Sequence, residues 1–542
     1  MTYAYNAVNL LATRTWARGT VTSYVYDPAT GEQTGISYND GITPALTYAF
    51  DRLGQSASVN QAVPGDPLFT WFERCLCGKV SVEHLDLEFF GSRALYYKLD
   101  YATVGNKGRT VGYALSTLPS SGGVVEQDIT YGFDSLNRLQ TLSSHRYRQT
   151  GPTIYRYSYL PASRFVNGLT VDGSPYAVTR EFESKRNLLK SIVSNWGEGS
   201  PETVTRARFD YTYNALDQRV ATVQSGTAFA DYGEATFQLY TYNAHGELMQ
   251  AGGFLGNNIA DQLRSLPNRR HDYDYDPIGN RRSANRTGIS DLRDDYPTNT
   301  LNQYVTKENS SVPLSGTAAT GAIVAVSGRN VPAGRTTPVS PFWSDEITVN
   351  NNSQPWRGVL SVYALTPGTG GAADRFRVES RTALIPPFTE GFAYDADGNL
   401  LDDGLWHYTW DGENRLIALE TGAAAATAGL PKRKLEFKYD YMGRRIEKTV
   451  TGWNVSNGTW NPNPDARRRY VYDGWNLVAE YAVSGSPSVL SLVRSYAWGL
   501  DLAQSMTETG GVGALLEIGD NASGQAYLPA YDGNGNIAAL IN

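Results

Sequence analysis

Two segments of this 542-residue chain carry oxygen-bearing side chains at alternate positions, the spacing of a calcium loop: Asp395-x-Asp397-x-Asn399 and Asp532-x-Asn534-x-Asn536. An EF-hand loop would put Gly sixth and a bidentate Glu twelfth. In both segments Gly stands fourth (Gly398, Gly535), where a hairpin turn needs it, so the expected role is the turn. Asp395, Asp397, Asp402 and Asp403 are dense enough to suggest the acid and base of glycoside hydrolysis. All four lie in or beside turns, where solvated carboxylates are expected. Asp397→Ala is accordingly expected to be nearly neutral, and Gly398→Val to destabilise if Gly398 has positive φ.

The remaining reactive residue types form no constellation. The histidines His84, His145, His245, His271 and His407 are scattered, with no H-E-x-x-H spacing. His407 stands between Trp406 and Tyr408 on an alternating stretch, which predicts packing rather than ligation. Cys75 and Cys77 make a lone C-x-C without the second pair of a zinc site, and read as alternate positions on a strand. No G-x-S-x-G elbow, phosphate loop or dinucleotide fingerprint occurs. No catalytic, cofactor-binding or metal-ligating residue is assigned, and the chain is not expected to be an enzyme.

The elements that would position these residues are copies of one unit, an aromatic followed by Asp or Asn and, three positions later, Gly or Asn. The clearest copies are headed by Tyr26-Asp27 (with Gly31, one residue longer), Phe50-Asp51 (Gly54), Tyr275-Asp276 (Gly279), Tyr394-Asp395 (Gly398) and Tyr531-Asp532 (Gly535). Looser copies begin at Phe133, Tyr213, Tyr242, Trp410, Tyr439-Asp440 (Gly443) and Tyr472-Asp473 (Asn476). Aromatics often alternate ahead of the unit, as in Tyr24-Val25-Tyr26 and Tyr470-Val471-Tyr472, which puts both rings on one strand face. Asp or Asn then opens a turn through its own side chain, and Gly or Asn suits the left-handed position that closes it. Each copy is a β-hairpin with a three- to five-residue loop. A lone hairpin is marginal, so neighbours must pair into a continuous sheet. The spacing, 29 residues from Tyr213 to Tyr242 and 33 from Tyr439 to Tyr472, is too uneven for a rigid solenoid.

Composition agrees: 36 Tyr and 54 Gly against 4 Met, with almost no helical apolar spacing. The best such stretch, Ile259–Arg264, is short. The fold class predicted is all-β, a spiralling hairpin-repeat sheet. A net charge of −7 with interspersed signs leaves no nucleic-acid footprint. The basic run Arg467-Arg468-Arg469 reads as a solvated edge that discourages aggregation. The first residues, without a basic start followed by an apolar core, are not expected to be a signal peptide, and no apolar run is long enough to span a membrane. From Tyr304 to about Thr389 the repeats vanish and Ser, Thr, Pro, Gly and Val dominate, which predicts a small inserted β-sandwich. The expected organisation is a repeat array over 1–303, the insert over 304–390 and a second array over 391–542.

With their flanks, the repeats resemble the bacterial RHS/YD-repeat proteins (rearrangement hot spot family), which are similar to the teneurins. The most specific blocks are YVYDGWNLVAEY (470–481), SYAWGLDL (495–502), GGVGALL (510–516) and YLPAYDGNGNIAALI (527–541), with LNQY (301–304), 394–420 and YDYMGRRIEK (439–448) also matching. The resemblance implies a β-strip spiralling into a hollow shell that encloses a C-terminal effector, often a toxin. The family core ends with an Asp-Pro-x-Gly block and self-cleavage aspartates. This sequence stops at Asn542 before any such block, so no cleavage residue is carried over, and an open partial spiral with an exposed C-terminal sheet edge is expected. The implied role is a non-enzymatic wall, part of a longer secreted or cell-surface protein. Its partners would be the chain's own effector, other shell segments and secretion machinery, with no nucleic acid or membrane span. The alternative is a secreted or surface binding module that recognises glycan or a partner protein through the insert or the Tyr/Trp-rich wall.

Overall fold

A computed structural model describes residues 1–63, 68–74, 78–86, 96–104, 109–118, 124–197, 203–287, 292–308, 311–328, 331–335, 341–485 and 489–542. Among these residues the chain is all-β, built on two long antiparallel sheets of 23 and 13 strands. In the first sheet, from Thr2–Tyr5 to Leu292–Asp295, each strand pairs with the next in sequence. The second, from Ala393–Tyr394 to Ile537–Ile541, follows the same meander, with Thr459–Trp460 set aside as a small flap. Nearest-neighbour pairing is what a string of hairpins dictates, because each turn delivers its return strand beside its own entry strand.

The register slips by one residue just as the chain enters a repeat turn, between Val25 and Tyr26, Thr241 and Tyr242, Lys438 and Tyr439, and Ala530 and Tyr531. These are bulges of the kind that follows a type I turn closed by a left-handed residue.

Between the sheets, strands Thr306–Glu308 and Thr389–Gly391 pair as a stem. Beyond it lie a two-stranded sheet (Val312–Thr317 with Phe342–Ile347) and a four-stranded one containing Ile323–Gly328, Val331–Arg335, Trp356–Thr366 and Arg375–Ile385. Val324, Val326, Trp343, Ile347, Trp356 and Leu360 form a core between them.

The two long sheets share one apolar core. Leu115, Ile129, Leu142, Tyr155 and Phe209 of the first pack in the same cluster as Val471, Val478, Tyr481, Leu516 and Leu528 of the second. The second sheet thus follows the first along much of its course.

Helix is confined to Ala423–Thr427 and a 3-10 segment, Thr227–Tyr232, among the described residues. The Ile259–Arg264 stretch is turn and coil. Among the described residues no helix is long and apolar enough to cross a membrane. Cys75 and Cys77 lie outside the described residues.

Candidate functional site

The repeat turns share one set of bonds. In the Asp276 turn, the Asp276 N–H donates to Asn280 O and the Gly279 N–H to Asp276 O. Asp276 Oδ1 accepts the N–H groups of Ile278 and Asn280, at 3.0 and 2.8 Å. The same pattern holds at Asp51, Asp134, Asn214, Asn243, Asp395, Asp411, Asp440 and Asp532. The closing residue is left-handed whether it is glycine (Gly398, φ +92°) or not (Asn137, Asp217 and Asn414, φ 58 to 69°). Asp27 heads a loop one residue longer, with Gly31 at φ +75°.

Three further turns carry this bonding in whole or in part: Asn6–Leu10, where Tyr5-Asn6 and Asn9 fit the unit, and Asn299–Gln303 and Asp501–Ser505, which lack the leading aromatic. The feature common to all three is an Asx residue with a left-handed residue three positions on, Asn9, Asn302 and Gln504 (φ 59 to 63°). Conversely, Tyr472-Asp473 differs from the expected unit: Asp473 pairs with Asn476 across a two-residue loop, Gly474-Trp475.

In most of these turns the other polar atom of the Asx side chain, a carboxylate oxygen or an amide nitrogen, pairs with the residue four positions on. Aspartates face donors: Arg138, Arg415 and Arg444 (Nε, 2.6–2.7 Å), and Asn280, Asn399 and Asn536 (Nδ2, 2.8–2.9 Å). Asparagines present an amide instead and face acceptors: Gln218, Glu247 and Gln303, at 2.6–2.8 Å. Asn243→Asp therefore sets a carboxylate against Glu247 and is expected to cost about 1 kcal/mol at pH 7. Adding Glu247→Asn, which rebuilds the Asp276–Asn280 pairing, is expected to restore most of that. Denaturant midpoints of the two variants decide it; equal loss in both removes the rule.

The backbone N–H of Arg138 first, then its side chain, holds the Asp134 carboxyl below its ordinary range. A lowered folded value means stability that is complete above the unfolded value of about 3.9 and is lost as pH falls through the folded one.

The unit's aromatic has a second task. Its polar tip donates to the backbone carbonyl that follows the previous turn: Tyr26 to Leu11, Tyr159 to Leu139, Tyr213 to Leu189, Tyr242 to Arg219, Tyr275 to Leu248, Tyr439 to Leu416, Tyr472 to Arg445 and Tyr531 to Leu515. Trp410 and Trp498 do the same through Nε1, to Leu400 and Leu477. Each unit is pinned to its predecessor, at about 0.5–1.5 kcal/mol per bond. Because the link joins spatial neighbours, it tolerates sequence separations from 10 to 27 residues within the arrays. Tyr394 makes this bond to Tyr304 O, 90 residues back. The ladder therefore continues straight across the insert.

The turn carboxylates also reach the other sheet, which corrects the expectation that they are solvated. Asp397 is 4% exposed; its Oδ1 accepts the Ala17 N–H at 2.7 Å and its Oδ2 lies 3.2 Å from Arg18 Nε. Arg18 also meets Asp395 Oδ2 at 3.1 Å. Burial pushes the Asp395 carboxyl up, but Asn399, the backbone and Arg18 outweigh it and hold it low. Asp397→Ala is now expected to destabilise by about 1–3 kcal/mol, read from the denaturant midpoint; an unchanged midpoint refutes this contact. The other two acidic candidates are spent on their own loop, Asp402 accepting from Gly404 N and Asp403 from Leu405 N, Trp406 N and Tyr408 OH. Among the described residues no acidic, histidine or cysteine cluster could hold a metal.

Two further expectations are corrected. His407 is exposed and pairs with Asp402 Oδ2 instead of packing. The Arg467–Arg469 run is not a solvated edge, because its strand lies between Arg445–Asn454 and Asn476–Ser484. Arg469 is 1% exposed, Arg467 and Arg469 meet Glu447 at 2.9 and 2.8 Å, and Arg468 meets Glu480 at 3.2 Å. Those carboxylates sit on the flanking strands, which local sequence does not announce.

Contacts between the sheets recur at intervals. Arg14 meets Glu413 at 2.5 Å, Gln61 Nε2 donates to Tyr439 O, and Arg444 lies 3.6 Å from Glu83. Further along, Tyr155 OH donates to Glu517 at 2.6 Å and Arg146 pairs with the same carboxylate. Tyr176 OH donates to Pro529 O, and the Gly533 N–H donates to Tyr211 OH.

No family model matches the chain. A 151-residue stretch, 28% of this chain, is 32% identical to the tRNA3(Ser)-specific nuclease WapA of Bacillus spizizenii, and a 110-residue stretch is 34% identical to the tRNA nuclease WapA of Bacillus subtilis. These matches span only 5% and 4% of those relatives. The double-stranded DNA deaminase toxin A of Burkholderia cenocepacia is 26% identical over 24% of this chain and 11% of its own. Among solved structures, the TcdB2–TccC3–TEV crystal structure aligns with 99% of this chain and 28% of that one, at a TM-score of 0.41 and 13% identity. In its repeat blocks this chain is similar, over part of its length, to the YD/RHS-repeat protein WapA.

Proposed function

We propose that the chain is a non-enzymatic wall segment of an RHS-type shell, which scaffolds and encloses an effector carried by the same polypeptide. The observation that carries this reading is the stapled turn ladder. Its Asx side chains and aromatic tips are consumed in holding hairpin to hairpin, so the repeated residues serve construction and not a reaction. The ladder also runs uninterrupted past the insert through the Tyr394–Tyr304 bond, as a continuous wall requires. Two sheets tied through charged and tyrosine contacts suit a barrier better than a hinge.

Encapsulation is tested by fusing a short unstructured, protease-sensitive segment after Asn542 and comparing its cleavage with that of the same segment on an unrelated carrier. A cleavage rate at least ten-fold slower on this chain supports enclosure. Equal rates refute it and leave a scaffold or binding role. The secreted or surface setting belongs to the same proposal and would be read from the location of the tagged full-length product.

A further inference from the structure

The insert ends in a strand that the rest of the chain leaves uncovered. Arg375–Ile385 pairs with Trp356–Thr366 on one side and with nothing on the other among the described residues, and residues 375–382 are all exposed. Its two faces differ sharply in chemistry. On the outer face Phe376 (64% exposed) and Val378 (43%) continue an apolar patch with Ile323 (41%). The register places Ile323, Leu365 and Phe376 in one cross-strand row and Ala325, Tyr363 and Val378 in the next, with the Tyr363 and Phe376 rings stacked at 6.2 Å. On the other face stand Arg375, Arg377, Glu379 and Arg381. Arg377 meets Glu379 at 3.0 Å. Arg375 and Arg381 have no ion pair among the described residues, an excess of positive charge on a chain whose net charge is −7.

We infer that this edge is a docking site for an extended polypeptide segment of a partner in which apolar and acidic residues alternate. A strand added to an exposed edge takes its affinity from main-chain hydrogen bonds and its specificity from alternate side chains. Here one set of alternate side chains would lie on Phe376 and Val378, and the other would face Arg375 and Arg381. A second copy of this chain fits less well, because antiparallel pairing centred on Val378 brings Arg375 of one copy opposite Arg381 of the other. The inference does not depend on the shell reading.

The test uses the whole chain and three labelled octapeptides: alternating Val/Glu, alternating Val/Lys, and the Val/Glu peptide N-methylated at alternate residues to block the ladder. Fluorescence anisotropy is expected to show the Val/Glu peptide bound at least ten-fold more tightly than either of the others, and more weakly as salt rises. Arg375→Glu with Arg381→Glu, both exposed and tolerable for folding, is expected to reverse the preference toward Val/Lys. Equal binding of Val/Glu and Val/Lys, or a preference unchanged by the double variant, overturns the inference. So does a dimer in light scattering that the double variant dissociates, which would make a second copy the occupant.

Discussion

Arg444→Met is expected to destabilise the protein by about 3–5 kcal/mol, the range for removing one partner of a buried ion pair. Arg444 is 3% exposed, and its Nε donates to Asp440 Oδ2 at 2.6 Å. Nη1 donates to Gly474 O at 2.6 Å, and Nη2 lies 3.6 Å from Glu83 on the other sheet. The methionine fills the space of the stem but leaves two buried carboxylates and a carbonyl without their cation. Burial already pushes the Glu83 carboxyl up, with Arg444 the main force pulling it back. A raised folded value means that stability falls as pH rises above the unfolded value of about 4.3. The variant's deficit should therefore be larger at pH 8 than at pH 5, because Glu83 accepts a proton once its counter-charge is gone. Urea unfolding at both pH values measures it. A loss below about 1 kcal/mol, or a deficit that grows toward acid, would show that Arg444 does not hold the sheets together.

Glu517→Ala should cost a similar amount, about 3–5 kcal/mol, at a separate point of the same seam. Glu517 is 1% exposed and receives the Tyr155 hydroxyl at 2.6 Å and the Arg146 guanidinium, both from the first sheet. Its removal strands a buried phenol and a largely buried cation. Adding Tyr155→Phe and Arg146→Met removes the orphans and is expected to recover at least half of the loss, since replacing a buried polar set by apolar groups is often nearly neutral. A triple variant no better than the single one would place the cost in packing. Arg444 and Glu517 bond to different residues, so their losses should add. A single unfolding transition in both variants would mean that the two sheets unfold together.

What the sequence determined on its own is the repeat and its turn, because both rest on contacts within a few residues. Asp or Asn bonds the backbone two and four positions ahead, and Gly or Asn takes the left-handed place. Even the match between Asp with Arg or Asn, and Asn with Gln or Glu, four positions on is written in the primary structure for a reader who looks for it. The all-β class and the break in the repeats after Tyr304 follow from the same local signals. Tertiary structure alone decided where the charges went. Asp397, Glu517 and Arg469 have the local look of surface residues, yet each is buried against a partner on another strand or the other sheet. It also decided why the ring is usually Tyr or Trp: its polar tip bonds a carbonyl one hairpin back, a neighbour defined by the stacking of hairpins and not by any fixed interval along the chain.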